Sequence, residues 1–199
     1  MVGLISVVTG CNGSATTQHT VKGTFLLTDG KYDEAIVEFT TAIESDPQNY
    51  NAYYLRGMAH QRKLQYGLAV DDYTKTIGIS PKFEPAYFNR GMAYLYEGYY
   101  DLAIADFSKG IELDPNDHLN YKFRGSAYYS QGNYLSAIAD YTEELHFNPD
   151  DDSVLSERAD AYLSVGQNAL AIMDLNKLLK VSNNPILIQS AKDRLKKLE

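Results

Sequence analysis

The chain has 199 residues, 44% of them hydrophobic, a single cysteine, and a formal charge of −8 from 18 Lys+Arg against 26 Asp+Glu. This composition excludes a disordered polymer, an internal disulfide and a cysteine-rich zinc site. The acidic balance leaves no electrostatic footprint for nucleic acid, and no apolar run reaches the roughly 18 residues of a membrane-spanning helix.

Residues 1–15 read unlike the rest. Met1 to Cys11 is uncharged and apolar, closes on small residues before the sole cysteine, and leads into the polar Asn12-Gly13-Ser14. Val8-Thr9-Gly10-Cys11 resembles the lipobox of bacterial lipoproteins. That resemblance implies a lipidated Cys11, a tether at a membrane surface, and work on the periplasmic face of a bacterial cell envelope. The run is short and no Lys or Arg precedes it, so a second reading stands beside the first: a plain tail on a cytoplasmic protein.

From residue 16 onward one period governs the chain. Pro47, Pro81, Pro115 and Pro149 lie 34 residues apart, as do Arg56, Arg90, Arg124 and Arg158, and Gly23, Gly57, Gly91 and Gly125. The period divides the chain into five repeats: 16–49, 50–83, 84–117, 118–151 and 152–185. In the first, residues 16–29 carry threonines that disfavour helix. The third is the clearest. An aromatic-rich segment from Ala86 to Tyr96 has helical apolar spacing and stops at Gly98, which can take a positive φ. A second amphipathic segment runs from Tyr100 to Ile111 and stops at Asp114-Pro115, because proline drives its predecessor out of the helical region. Residues 186–199 predict one more amphipathic helix, with Ile186, Leu187, Ile188, Ala191, Leu195 and Leu198 on its apolar side. It would cap the apolar face of the last repeat.

The pattern resembles the tetratricopeptide repeat. Its carriers are Tyr53, Tyr87 and Tyr121 at the fourth position, Gly57, Gly91, Gly125 and Ala159 at the eighth, and Tyr94, Tyr128 and Tyr162 at the eleventh. Ala35, Ala69, Ala103, Ala137 and Ala171 stand at the twentieth, and Phe39, Tyr73, Phe107 and Tyr141 at the twenty-fourth. The first repeat departs with His19 in an aromatic position. Glu144 and Leu178 stand where the family keeps a small residue, which predicts a looser contact between repeats four and five. The resemblance implies an all-α fold, a TPR α-solenoid of five helix-turn-helix repeats plus a C-terminal capping helix, forming one domain.

Leucine is common in the family where this chain repeats arginine. An acid follows each arginine sixteen residues on: Arg56 and Asp72, Arg90 and Asp106, Arg124 and Asp140, Arg158 and Asp174, with Lys22 and Glu38 in the first repeat. The recurrence predicts structural ion pairs between facing helices. The alternative is a basic stripe that grips acidic peptide termini.

Catalysis finds no footing. His19, His60, His118 and His146 have no partners at metal-ligand spacing, and neither a phosphate-cradling loop nor a nucleophile elbow occurs. Asp150-Asp151-Asp152 lacks the rest of a calcium loop and predicts a helix cap near Ser153. No enzyme, metal or cofactor is therefore expected. The resemblance implies instead a scaffold that binds a protein or peptide along the inward face of each first helix. Those positions hold Tyr54, Met58, Gln61 and Arg62, then Phe88, Met92, Leu95 and Tyr96, then Lys122, Ser126, Tyr129 and Ser130. About half of this set is expected to be accessible. The Lys, Asn and Arg clamp with which some members hold chaperone C-termini is missing, because Tyr54, Met58, Phe88 and Met92 occupy its places. A self-assembling structural protein, with a second copy in the groove, is the remaining alternative.

Overall fold

The computed structural model describes residues 15–198, and eleven α-helices make up its regular structure. They fall into two compact units, one ending at Pro81 and one starting at Lys82.

The first unit contains α1 (Ala15–Thr28), α2 (Tyr32–Ser45), α3 (Tyr50–Arg62) and α4 (Tyr66–Ile79), each packed against the next. α1 is helical despite its threonines because packing overrides a weak propensity. Gly23 is buried against the Phe39 ring, and Thr20 and Thr24 turn their hydroxyls back onto the carbonyls of Thr16 and Thr20. His19, in its aromatic position, pairs with Glu38 at 2.6 Å, and Lys22 reaches the same carboxylate.

The second unit contains α5 (Glu84–Glu97), α6 (Tyr100–Leu113), α7 (His118–Ser130), α8 (Tyr134–Phe147), α9 (Asp152–Ser164), α10 (Asn168–Val181) and α11 (Pro185–Lys196). Successive helices pack in order, while α5, α7, α9 and α11 also touch one another along one side of the unit. α11 covers the end of the last repeat. It buries Ala191 and sets Leu187 and Leu195 against the core of α8, α9 and α10, whereas Ile186 stays exposed.

The same local chemistry recurs in both units. Three of the first helices, α3, α7 and α9, start after a loop whose Asn or Asp accepts an amide hydrogen bond: Asn49 from Ala52, Asp117 from Leu119 and Asp151 from Val154. Asp151 is thus a helix cap. Inside the first four hairpins a missing Cβ lets the axes approach: a Cβ on Gly91 would lie 2.9 Å from Phe107 Cε1. The hairpin turns use residues with φ near +75°, namely Gly30, Gly98, Gly132 and Gly166, but Leu64 fills that position in the second repeat at φ 59°.

The contact between repeats four and five is not loosened. Glu144 and Leu178 are both fully buried. Side-chain size is exchanged along this row, so that in the third repeat Asn120 fills the space a side chain on Gly110 would need.

Candidate functional site

The ion pairs set the frame. Arg56 donates from Nε and Nη2 to both oxygens of Asp72 at 2.9 and 2.7 Å, and Arg124 does the same to Asp140 at 2.8 and 2.7 Å. Arg90 with Asp106 and Arg158 with Asp174 repeat the fork. The third nitrogen carries information that the pairing pattern missed. Nη1 of Arg56, Arg124 and Arg158 donates to the hydroxyls of Thr40, Ser108 and Thr142, which belong to the preceding hairpin. Hydroxyl residues at 40, 74, 108 and 142 were the signal in the sequence. Each guanidinium also lies over a tyrosine ring, such as Arg124 over Tyr121 at 5.8 Å. These arginines are fully engaged in holding helices together, so they offer no basic stripe.

The inward positions divide by unit. In the first, Tyr54 packs on Tyr73 with centroids 5.9 Å apart, Gln61 accepts the Tyr73 hydroxyl at 2.7 Å, Met58 is half-buried and Arg62 is exposed. In the second, Met92 is core: 9% exposed, it packs with Ala103, Phe107 and Ala127. Phe88 joins that cluster, edge-on to Phe123, and Leu95 is half-buried beside it. Tyr96, 61% exposed, presents most of its surface to solvent. Three of the twelve positions, Arg62, Tyr96 and Ser130, are exposed and most others half-buried, which is less accessible than expected. An apolar stripe at helical spacing first serves the neighbouring helix.

Repeats four and five are built differently. Lys122 Nζ, one of the inward positions, donates to Asp151 Oδ2 and Ser153 Oγ, both at 2.8 Å. Burial works to raise the Asp151 carboxyl, but the Lys122 ammonium, the Ser153 hydroxyl and the Val154 amide outweigh it and hold it below the usual carboxylate range. Beyond Lys122 a half-open cavity of about 160 Å³ is lined by Ser126, Tyr129 and Ser130 of α7, Tyr141 of α8, and Glu157 and Asp160 of α9. Ser126 Oγ lies 3.1 Å from Glu157 Oε2 and 3.1 Å from the Lys122 carbonyl, so its single proton serves one of them at a time. The Tyr141 hydroxyl donates to Ser126 Oγ at 3.4 Å. Burial pushes the Glu157 carboxyl up, and the Ser126 and Tyr141 hydroxyls only partly offset that. Asp160, one turn on, receives Arg194 Nη1 of α11 at 2.6 Å, while Arg194 Nη2 reaches Ser156 Oγ at 2.7 Å.

Glu157, Asp160 and Arg194 were not among the sequence candidates. Asp160 stands at the same repeat position as Met58, Met92 and Ser126, so carrying the inward set one repeat further would have found it. Cys11 lies outside the described residues. Among the described residues there is no group of three potential metal ligands, and no helix is long and apolar enough to cross a membrane.

Models of the tetratricopeptide repeat match residues 27–63 and 85–117. The chain contains tetratricopeptide repeats. Its all-α hairpins are those of the tetratricopeptide solenoid, and solved structures agree over most of the chain. A crystal structure of MamA is similar at TM-score 0.81 and 23% identity, covering 84% of this chain and 92% of that one. MamA from Desulfovibrio magneticus RS-1 is similar at 0.81 and 17%, covering 85% and 96%. YrrB, described as a TPR protein with an unusual peptide-binding site, is similar at 0.80 and 17%, covering 91% and 98%. At these identities the likeness concerns the fold. No curated protein sequence matches the chain.

Proposed function

We propose that this chain is a non-catalytic scaffold that binds a segment of a protein partner along the inward faces of its first helices. One observation carries the reading: α7 and α9 line a solvent-open cavity with inward side chains that the neighbouring helices leave uncovered. Concave, partly apolar clefts with a few convergent polar groups are where ligands bind. Stacked helical repeats present such surfaces to extended partners. The similar YrrB is described as having a peptide-binding site, which accords with this use of the fold.

A photocrosslinking residue at Ser130, on the inward side, tests the scaffold against the same residue at Leu135, an exposed position on α8. A discrete adduct at 130 and none at 135, in cells that naturally make the protein, is the expected result. Equal labelling at both sites refutes the assignment, and an adduct of twice the chain mass identifies self-assembly instead.

The scaffold is further proposed to be tethered through lipid on Cys11, on the strength of Val8-Thr9-Gly10-Cys11. Membrane fractionation and intact mass, beside Cys11→Ser, test the tether. A soluble chain that retains Met1 and carries no acyl mass removes it and leaves a cytoplasmic scaffold.

A further inference from the structure

The cavity between α7, α8 and α9 has a definite chemical character. Its lining offers two carboxylates and four hydroxyls and contains no cationic side chain. The two carboxylates sit one turn apart on α9 but differ in circumstance. Asp160 already holds the guanidinium of Arg194, whereas Glu157 has the Ser126 hydroxyl as its neighbour and, among the described residues, no cation within ion-pair distance, the Lys122 ammonium attracting it only from farther away. Lys122, the nearest ammonium on α7, is held by Asp151 and Ser153. This face therefore satisfies one carboxylate with an ion pair from within the chain and leaves its neighbour, half-buried and facing an open cavity, with no such pair among the described residues.

Size and donor geometry narrow the occupant. A volume of about 160 Å³ equals that of roughly five liquid waters, enough for the four heavy atoms of a lysine side chain beyond Cβ. Tyr129, half-buried at the cavity wall, adds aromatic surface beside which a methylene stem and a cation can lie. An ammonium is compact and donates three hydrogen bonds in divergent directions, matching the acceptors at Glu157, Ser130 and Tyr129. An apolar side chain there would strip water from Glu157 without replacing it. Resting on the scaffold reading above, we infer that this cavity is a subsite for a lysine side chain of the bound partner segment, with Glu157 as its counter-ion.

n-Butylammonium is the lysine side chain cut at the Cα–Cβ bond, and it probes the subsite without any partner. Two-dimensional NMR of the full chain, titrated at constant ionic strength, should show saturable shifts at Ser126, Tyr129, Ser130 and Glu157 and none at Phe88. Glu157→Gln should weaken binding about tenfold, the worth of a charge-assisted hydrogen bond. Ser130→Ala, at an exposed position that folding does not depend on, should weaken it about threefold. Butanol binding as tightly as n-butylammonium, or affinity unchanged in both variants, overturns the subsite, and methylguanidinium binding more tightly overturns the choice of lysine. Should crosslinks form at position 130 while n-butylammonium does not bind, the scaffold stands and the lysine subsite falls. Should n-butylammonium bind while crosslinks at 130 and 135 are equal, the partner lysine falls and the cavity is a site for free ammonium compounds.

Discussion

Replacing Glu144 by leucine should make the protein more stable. Its carboxylate is fully buried and neither oxygen makes a hydrogen bond; the imidazole Nδ1 of His118 lies 3.4 Å from Oε1. Burial pushes the carboxyl up from its ordinary 4.5, aided by Asp151 and opposed by Lys122 and His118. The fifth repeat holds Leu178, also fully buried, at the equivalent position, so the packing accepts a leucine there. A buried, unsatisfied polar group costs about 1–3 kcal/mol, more when charged. Allowing for the weak His118 and Lys122 attraction, Glu144→Leu should gain about 2 kcal/mol, or about 4–8 °C in Tm for a chain of this size. The sign with pH follows from linkage. The folded state holds this proton more tightly than the unfolded chain, so the penalty is fully present above the raised pKa. It fades as pH falls through that value toward 4.5. Calorimetry and urea unfolding of wild type, Glu144→Leu and Glu144→Gln from pH 4 to 8 would measure it. The leucine gain should be largest at pH 8 and shrink toward pH 4, with glutamine intermediate because its amide is equally unsatisfied. A leucine variant less stable than wild type at pH 8 would refute the reasoning, and would show that His118 and Lys122 make the carboxylate a net asset.

Other perturbations follow from the repeat geometry. Leu64→Gly should stabilise by about 0.5–1 kcal/mol in urea unfolding, because Leu64 is 72% exposed and adopts a left-handed φ of 59° that costs a non-glycine residue more than glycine's extra chain entropy. Gly91→Ala should destabilise by about 1–2 kcal/mol, since the overlap with the buried Phe107 ring outweighs alanine's better helix propensity, and thermal unfolding would register it. Asp140→Ala should cost about 2–3 kcal/mol by leaving the largely buried Arg124 guanidinium without its carboxylate. Adding Arg124→Leu should recover more than half of that loss in a double-mutant comparison of urea midpoints.

The fold was legible because its determinants recur. Pro47, Pro81, Pro115 and Pro149 mark places where a helix must stop. Gly57, Gly91 and Gly125 mark places where a Cβ would strike an aromatic ring, and the two constraints recur at the same spacing through the second, third and fourth repeats. Reading failed where one repeat compensates for itself. The threonines of α1 argued against a helix, but Gly23 against Phe39 supplies the packing that decides the matter. Glu144 and Leu178 looked too large, yet side-chain sizes trade across the row and both fit. The candidate site was less legible because its contacts join residues without a shared period. Lys122 with Ser153 crosses from one repeat to the next, and Arg194 reaches Asp160 from a helix outside the repeats. Met92 was misjudged for the opposite reason, since a side chain on the inward face can still be consumed by the core that Phe107 anchors.

Within residues 82–199 the period itself separates structure from function. Positions that repeat in kind carry forces that every hairpin needs: the arginine–aspartate fork, the ring beneath the arginine, the small residue opposite an aromatic. Positions that change in kind are released from that duty. On the inward face Phe88 and Met92 give way to Lys122 and Ser126 and then to Ser156 and Asp160, so the surface passes from apolar to hydroxyl-rich and acidic over three repeats. Packing alone would favour keeping the apolar pair, because the hairpins beneath are built alike and a buried methionine or phenylalanine contributes about 1.5–3 kcal/mol. The polar replacements forgo that contribution, and they coincide with a stretch where the inward side chains of α7 and α9 open onto a cavity instead of filling it. A carboxylate half-buried at such a place costs stability that its hydroxyl neighbours restore only in part. Its presence is better explained by what enters the cavity than by the fold around it.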